Sequence, residues 1–235
     1  MGEGLSRAGL PSDRLLLEAS LWSADHARFA EDMRRVEPFI DLFHVDVSDD
    51  HFVPGLLLFP DLVATLRRHA GRPIHVHLMV ERPAGLVGPF VAAGADMVTV
   101  HAECGRQAHD ALEDLERRDV ATGIALRLDS PIELLDPFLA RVRLILLMGT
   151  EVGVKGVDLA AGALERIRRV GALLLERGLR DRVRVEADGG IRRHTVSALC
   201  GAGADVLVMG SLLFGTDDPA GTTAWVRSLR PAPGP

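Results

Sequence analysis

Short apolar runs alternate with segments of helical spacing along most of the chain. Runs of four to eight apolar residues predict buried strands, whereas apolar residues spaced three or four apart predict helices. The predicted strands are Leu15–Leu21, Phe43–Val47, Ile74–Val80, Met97–His101, Thr122–Leu128, Arg143–Met148, Val183–Ala187 and Val206–Met209. The predicted helices are Asp25–Val36, Pro60–Ala70, Pro83–Ala93, Gln107–Arg118, Ser130–Phe138, Ala160–Arg177, Thr195–Ala202 and Pro219–Leu229.

This alternation, with no linker rich in proline or glycine between two halves, predicts one parallel α/β domain. Two architectures fit it, a closed (β/α)8 TIM barrel and a doubly wound open sheet. The polar pairs His44/Asp46 and His75/His77 favour the barrel, because its interior gives both pairs a common location. The predicted organisation is a flexible tail (1–13), a barrel (14–229) and a second flexible tail (230–235).

The composition narrows the set of partners. The 235-residue chain is 47% hydrophobic and has a formal net charge of −6. It has no basic patch, which argues against nucleic acid, and no apolar run reaches the roughly 18 residues that a membrane span requires. The two cysteines, Cys104 and Cys200, lack C-x-x-C spacing and suit free thiols in a reducing compartment. We therefore expect a cytoplasmic protein that binds neither nucleic acid nor membrane.

Polar residues collect where the predicted strands end, which is the catalytic face of a barrel. His44 and Asp46 share one face of the second strand, His77 lies near the end of the third, and Asp188 follows the seventh. Two histidines and two aspartates suit one divalent metal ion, with imidazole favouring zinc, iron, cobalt or manganese. Taken alone, Asp188 could equally be a turn residue and not a metal ligand. The combination favours the metal site, because the interior would otherwise bury two carboxylates without partners.

Glycine-rich turns follow the last two predicted strands. Asp188-Gly189-Gly190 and Gly210-Ser211 lie where barrels frequently bind phosphate through backbone N–H groups. The loop Gly149–Gly156 can lie over the same place and offer its amides or the Lys155 ammonium. Glycine-rich turns are also common where the chain simply reverses direction. Their position after the last two strands is what favours a phosphate-binding role.

Several motifs, in order along the chain, resemble the ribulose-phosphate 3-epimerase family over residues 15–218. The matching segments are Ser20–Asp25, His44–Pro54, Val76–Val80, Ala93–Asp96, Glu186–Ile191 and Gly210–Gly215. The resemblance implies a ribulose-phosphate-binding TIM barrel and an isomerase of carbohydrate metabolism, in the pentose phosphate pathway, that acts on a phosphorylated ketose. It also implies a homo-oligomer, since related barrels assemble as dimers or hexamers.

The resemblance further implies a role for each matching position. His44, Asp46, His77 and Asp188 would ligate one divalent metal ion (Zn, Fe, Mn or Co). Asp46 and Asp188 would also be the catalytic acid/base pair. One would remove the C3 proton of D-ribulose 5-phosphate, and the other would return a proton to the opposite face of the enediolate to give D-xylulose 5-phosphate. The substrate-binding positions would be Ser20, His77, Met79, Met148, Gly153, Gly156, Gly189, Gly190, Gly210 and Ser211.

The chain departs from the family pattern in two places. Ser48, Asp50 and Gly55 replace the usual methionine, glycine and asparagine, and Glu151–Val157 replaces the usual Asn-Pro-Gly-Phe-Gly-Gly-Gln loop. Because that loop covers the substrate, the alternative is the same chemistry on another ketose, or on a ketohexose 6-phosphate such as allulose 6-phosphate. A non-catalytic sugar-phosphate-binding barrel is a further alternative.

Barrel enzymes that make or break a carbon–carbon bond are disfavoured. Their Asp-x-Lys-x-x-Asp array would need a lysine where Ser48 stands. The sequence leaves open the ketose, the need for phosphate, the metal and the roles of Trp22, Cys104 and Lys155.

Overall fold

The computed structural model describes residues 10–11 and 14–229, and within them eight parallel strands close into a barrel. The strands are β1 (Leu16–Ser20), β2 (Leu42–Ser48), β3 (Ile74–Met79), β4 (Met97–His101), β5 (Ala121–Leu126), β6 (Leu144–Met148), β7 (Arg184–Asp188) and β8 (Val206–Met209). Each strand pairs with its sequence neighbour, and β1 pairs with β8 to close the sheet. The predicted TIM barrel is confirmed, and the doubly wound alternative is wrong.

Helices cover the outside of this barrel. They are α1 (Phe29–Val36), α2 (Pro60–Arg67), α3 (Ala84–Ala92), α4 (Arg106–Arg117), α5 (Ala163–Glu176), α6 (Val196–Ala202), α7 (Ser211–Phe214) and α8 (Pro219–Ser228). Short 3-10 helices occupy Leu21–Ser23, Glu37–Phe39, Ala102–Cys104 and Ile132–Leu135. The main apolar core lies between the helices and the outward faces of the strands. No described helix has the length and apolar character needed to cross a membrane.

The structure differs from the predicted elements in two connections, and one of the differences is the additional helix α7 between β8 and α8. The predicted helix Ser130–Phe138 is wrong, because the chain between β5 and β6 forms only the 3-10 helix Ile132–Leu135. Pro137 disfavours an α-helix here, since it has no backbone N–H to continue one. The predicted boundaries of the terminal segments, 1–13 and 230–235, stay predictions, and apart from residues 10 and 11 these segments lie outside the described residues.

The barrel interior is apolar at its amino end and polar above. The apolar layer is a cluster of Leu10, Leu16, Leu42, Met97, Ala121, Leu144 and Val206. Because alternate residues of a strand face the same side, the inward positions two residues further along form the next layer. In β1, β2, β3, β4 and β7 those positions are polar and fully buried: Glu18, His44, His75, Thr99 and Glu186. The strand ends above them carry the candidate site.

A repeated joint fixes two strands to the helices before them. Gly94 and Gly203 adopt left-handed φ values of 100° and 103°, the conformation typical of a glycine that ends a helix. Asp96 and Asp205, two residues further on, each accept a backbone hydrogen bond of 2.8 Å from a neighbouring strand. Each aspartate also pairs with an arginine, at 2.8 and 2.6 Å. These joints hold the amino end of the barrel, away from the candidate site.

Candidate metal centre and active site

Four side chains from three strands converge at the carboxyl end of the barrel. His44 and Asp46 lie on the inner face of β2, His77 lies beside Asp46 on β3, and Asp188 ends β7. One possible ligand atom from each residue lies within 4.8 Å of the others. Close pairs are His44 Nε2 to Asp46 Oδ1 at 3.3 Å and His77 Nδ1 to Asp188 Oδ2 at 3.6 Å. We call these four residues the ligand cluster.

The ligand cluster fits a divalent metal ion. His44 Nε2 and His77 Nδ1 are buried and make no hydrogen bond within the described part of the chain. Buried polar atoms normally have partners, so these two nitrogens are placed as metal ligands would be. Imidazole and carboxylate donors together suit zinc, iron, cobalt or manganese. The cluster could therefore hold one such ion, and its donor set does not select among them.

The two carboxylates of the ligand cluster have opposite electrostatic environments. Burial alone would raise the pKa of Asp46, but the nearby charge of His44, with smaller contributions from His77, brings it well below its usual range. Burial raises the pKa of Asp188 to about 7, and the neighbouring charge of Asp46 adds to that increase. Without a cation, the site therefore contains one firmly ionised carboxylate and one that titrates near neutral pH.

A chain of hydrogen bonds determines which nitrogen of His77 is free. Burial alone would raise the pKa of Glu103, but a hydrogen bond from His101, with smaller contributions, lowers it to about 2, so this carboxylate accepts from His101 Nδ1 at 3.2 Å. Burial lowers the pKa of His101 and lowers that of His77 to about 3, so both rings are neutral. His101 Nε2 must then accept a hydrogen bond from the N–H of His77 Nε2, which lies 2.9 Å away. This leaves His77 Nδ1 unprotonated and directed at Asp46 and Asp188.

A second buried set of polar residues lies directly beneath the ligand cluster. We call Glu18, His75, Thr99 and Glu186 the floor cluster. Glu18 Oε2 accepts hydrogen bonds of 2.8 Å from both His44 Nδ1 and His75 Nδ1. Burial alone would raise the pKa of Glu18, but the charge of His75 and the two hydrogen bonds lower it to about 2. Burial and the adjacent Glu18 raise the pKa of Glu186 well above its usual value.

The floor cluster was missed in the sequence analysis, although a signal for it was present. Glu18, His75 and Glu186 each stand two residues before a predicted site residue, Ser20, His77 or Asp188, on the same strand face. A polar residue at that position of a buried strand needs a partner in the barrel interior. Strand alternation, carried one step back from each predicted site residue, would have found these three, whereas Thr99 precedes His101, which was not a predicted site residue.

A pocket of about 770 Å³ opens above the ligand cluster, and Asp46 and Asp188 lie at its base. The residues lining it include every predicted substrate-binding position except His77, which is fully buried below. The structure thus brings the predicted site residues together around one pocket, while their roles stay predictions.

The loop Gly149–Val157 covers one side of this pocket, and we call it the lid. Its first residue donates a backbone hydrogen bond of 2.6 Å to Asp188 O. Lys155 Nζ donates to Trp22 O at 2.6 Å and lies 5.4 Å from the centre of the Trp22 ring. Burial lowers the pKa of Lys155. Trp22 therefore forms part of the pocket wall and holds the lid, a role that the sequence left open.

The turns after β7 and β8 form a cradle that adjoins the lid. Gly189 and Gly190 have φ values of 89° and 71°, and a Cβ on Gly190 would lie 2.6 Å from a backbone Cα atom. Only glycine fits such a turn without strain. Arg192 donates one hydrogen bond to Ser211 Oγ and another, of 3.2 Å, to Val157 O in the lid. The guanidinium thus adds a positive charge where the cradle meets the lid.

Comparison with known proteins identifies the family. The Ribulose-phosphate 3 epimerase family matches residues 16–214. The chain is 33% identical over 200 residues to the ribulose-phosphate 3-epimerase of Bacillus subtilis (strain 168), covering 85% of this chain and 92% of that one. It is 37% identical over 188 residues to the enzyme of the same name from Rhodospirillum rubrum, covering 80% and 81%. The chain belongs to the ribulose-phosphate 3-epimerase family. It is therefore a carbohydrate epimerase, an isomerase.

Solved structures with the same fold include more distant proteins. The 3-keto-L-gulonate-6-phosphate decarboxylase from Vibrio cholerae O1 biovar El Tor str. N16961 aligns with a TM-score of 0.70 at 15% identity, covering 92% of this chain and 97% of that one. At this level of identity the likeness establishes the barrel and says nothing of the reaction.

The departures from the epimerase family pattern after β2 form one hydrogen-bonded turn. Asp50 has a left-handed φ of 60°, a conformation that aspartate tolerates better than most residues. Ser48 Oγ donates to Gly55 O at 2.8 Å, and Gly55 N donates to Asp50 Oδ1 at 2.6 Å. The three substitutions therefore support one another, and the Ser48 hydroxyl is engaged in this turn rather than in the pocket.

Cys104 lies at the catalytic rim of this epimerase-family barrel but has the properties of an unreactive thiol. Its Sγ donates to Val80 O at 3.3 Å, and burial raises its pKa to about 12. A thiol needs to ionise to act as a nucleophile. The structure therefore agrees with a packing role.

Proposed function

We propose that this chain inverts C3 of a phosphorylated ketose and converts D-ribulose 5-phosphate to D-xylulose 5-phosphate. The observation that carries the proposal is the pair of carboxylates at the base of the pocket. Asp46 comes from β2 and Asp188 from β7, strands that β1 and β8 separate. A substrate carbon between them would have one carboxylate on each face.

Inversion at C3 needs two proton-transfer groups, because the proton leaves one face and a proton returns to the other. In one direction Asp46 would take the C3 proton, and Asp188 would protonate the opposite face of the enediolate. Ser20 Oγ donates to Asp46 Oδ2 at 2.8 Å and so fixes the carboxylate that would face the substrate. A divalent cation held by the ligand cluster would supply positive charge next to the substrate oxygen on which negative charge develops.

The cradle and the lid support a phosphorylated substrate. The chain has a net charge of −6, so an anionic substrate needs local positive charge and free N–H groups. Gly189, Gly190 and Gly210 line the pocket, as do the cations Arg192 and Lys155. Backbone N–H groups and a guanidinium are both good hydrogen-bond donors to a phosphate group.

The size of the ketose is the open part of the proposal. Val154 and Lys155 line the pocket from a lid whose sequence differs from the family pattern. A ketohexose 6-phosphate such as allulose 6-phosphate, or another ketose, is the alternative that this lid supports. Carbon–carbon bond chemistry has no such support, because the position that would need lysine holds Ser48 within the turn after β2.

A panel of ketose phosphates and free ketoses in D2O tests the proposal. The metal-loaded protein should exchange the C3 hydrogen of D-ribulose 5-phosphate and form D-xylulose 5-phosphate, both visible by proton NMR. Faster exchange of a ketohexose 6-phosphate would select the alternative substrate. Equal rates for a free ketose and its phosphate would show that phosphate is not required. No exchange with any compound would contradict the epimerase proposal and favour a sugar-phosphate-binding barrel.

We also propose that the chain assembles as a homo-oligomer, a dimer or a hexamer. Leu56 and Phe59, in the loop after β2, are 77% and 56% exposed, and large apolar side chains of this exposure are typical of protein interfaces. Light scattering coupled to size exclusion measures the mass directly. A monomer at micromolar concentration would contradict this proposal.

A further inference from the structure

His44 connects the ligand cluster above it to the floor cluster below it. Its Nε2 faces Asp46 Oδ1 at 3.3 Å and Asp188 Oδ2 at 4.0 Å. Its Nδ1 lies 2.8 Å from Glu18 Oε2. A histidine that gives one nitrogen to a metal carries its remaining proton on the other nitrogen. The group that accepts a hydrogen bond from this N–H therefore decides which nitrogen is the ligand.

We propose that Glu18 is a positioning residue for the metal centre, which fixes the ring and the tautomer of His44 so that Nε2 is the ligand. The inference rests on the metal site of the proposed function and adds a residue to it. A ligand histidine that donates its second N–H to a carboxylate is a recurrent arrangement in metal sites, and the carboxylate makes the ring a stronger ligand. Glu18 does not line the pocket and has no exposed surface, so its effect passes through His44.

The floor cluster holds Glu18 in place from the other side. Glu18 Oε2 also accepts from His75 Nδ1 at 2.8 Å, and His75 Nε2 lies 2.7 Å from Thr99 Oγ1. Gly123, on β5, makes room for Thr99, because a Cβ there would lie 2.0 Å from the Thr99 hydroxyl oxygen. A row of contacts thus extends across four strands and ends on His44.

A second metal site in the floor is the competing interpretation. Glu18, His44, His75 and Glu186 also have possible ligand atoms within 4.8 Å of one another. All four are fully buried, however, and both histidines already direct Nδ1 at one carboxylate oxygen at hydrogen-bond distance. A metal ion there would have to replace both hydrogen bonds and share His44 with the ion above. The positioning role needs neither change.

The main test measures zinc affinity without any substrate, so it is independent of the epimerase reaction. Competition with a chromophoric chelator gives the apparent Kd of wild type and of Glu18→Gln, which keeps the shape of the side chain and removes its charge. Loss of such a supporting carboxylate typically weakens metal binding by about 10- to 100-fold, and we expect a change in this range.

Asp41→Asn is the matched control. Asp41 accepts a 2.9 Å hydrogen bond from the backbone N–H of Leu17, next to Glu18, and pairs with Arg14 and Arg227 at 2.6 and 2.8 Å. It therefore tests the loss of a carboxylate beside β1 that does not touch a histidine. Its zinc affinity should stay within about twofold of wild type, since no ligand depends on it.

Two results would overturn the inference. The first is equal zinc affinity for Glu18→Gln and Asp41→Asn. The second is a stoichiometry of two zinc ions per wild-type chain that falls to one in Glu18→Gln, which would establish the floor as a metal site. If Glu18→Gln does not fold, histidine NMR of zinc-loaded wild type decides. His44 should carry its proton on Nδ1 and bind zinc through Nε2, and the reverse assignment would refute the positioning role.

Discussion

Two regions meet at the substrate pocket, the barrel interior beneath it and the lid across it. In the interior, His44, His77, Glu18 and His75 have no exposed surface, and each is held by another buried side chain. In the lid, Val154 and Val157 are 40% and 43% exposed. Two side-chain hydrogen bonds connect the lid to the rest of the barrel. Arg192 donates to Val157 O in the lid, and Lys155 of the lid donates to Trp22 O.

This difference assigns different tasks to the two regions. A buried polar network has few alternatives once it is formed, because breaking one bond leaves an unsatisfied group in the interior. An exposed loop can change sequence and position at small cost. We therefore expect substitutions in the interior to abolish the chemistry or the metal, and substitutions in the lid to change substrate affinity by smaller factors.

The largest expected effect comes from the acid/base pair. Asp188→Asn should lower kcat at saturating metal by about 10²- to 10⁴-fold, because one of two required proton-transfer groups is lost. Asp158→Asn removes an exposed carboxylate that pairs with His194 at 3.2 Å, outside the pocket, and should leave kcat unchanged. Steady-state assay of both variants measures the contrast. Equal activity of the two would refute the role of Asp188.

The second prediction concerns protons and the metal in the interior. Burial raises the pKa of Asp188 to about 7 in the metal-free protein, so below that pH a proton must leave before the carboxylate can bind a cation. For each proton that metal binding releases, the apparent metal affinity rises about tenfold per pH unit. Zinc should therefore bind more tightly as the pH rises from 5.5 to 7. Above pH 7 the contribution of Asp188 should level off, because the carboxylate is already ionised. Chelator competition across this range gives the slope. The slope in Asp188→Asn should be shallower by about one logarithmic unit per pH unit, and an unchanged slope would contradict the assignment.

The fold was readable from the sequence because local pattern and tertiary structure agree. Each apolar run became a strand of the barrel, and the alternation with helices left few topologies to consider. The error at Ser130–Phe138 has a local cause, since apolar spacing suggested a helix that Pro137 ends.

The candidate site was only partly readable. The ligand cluster could be found because its members stand at strand ends. Glu18 looked like part of an apolar run between Leu17 and Ala19, and its partner His75 is 57 positions away in the chain. Only the closed barrel, by placing β1 and β3 on either side of β2, shows that these side chains meet. The role of Arg192 depends on the fold in the same way, since its contact with Ser211 joins two turns that the sequence shows separately.

The third prediction tests the cradle edge of the lid. Arg192→Gln should raise KM for a phosphorylated ketose by about ten- to a hundredfold with little change in kcat, since a hydrogen bond to a charged group contributes about 1.5–3 kcal/mol. Arg193→Gln is the neighbouring control, because the Arg193 guanidinium lies 4.5 Å from the centre of the Trp225 ring and does not line the pocket. Steady-state kinetics with phosphorylated and free ketoses separates the two. An equal effect on both sugars would show that Arg192 does not bind phosphate.

The smallest effect is expected at the other edge of the lid, and it tests the comparison most sharply. Lys155→Gln removes the hydrogen bond to Trp22 O and the cation over the indole ring. A single hydrogen bond contributes about 0.5–1.5 kcal/mol, so KM should rise by about two- to tenfold while kcat and zinc affinity stay unchanged. Amide exchange in the lid should become faster, because the loop opens more often, and amides of β2 and β7 should not change. If zinc affinity fell as well, the lid and the interior would be energetically coupled, and their division into substrate and chemistry would be wrong.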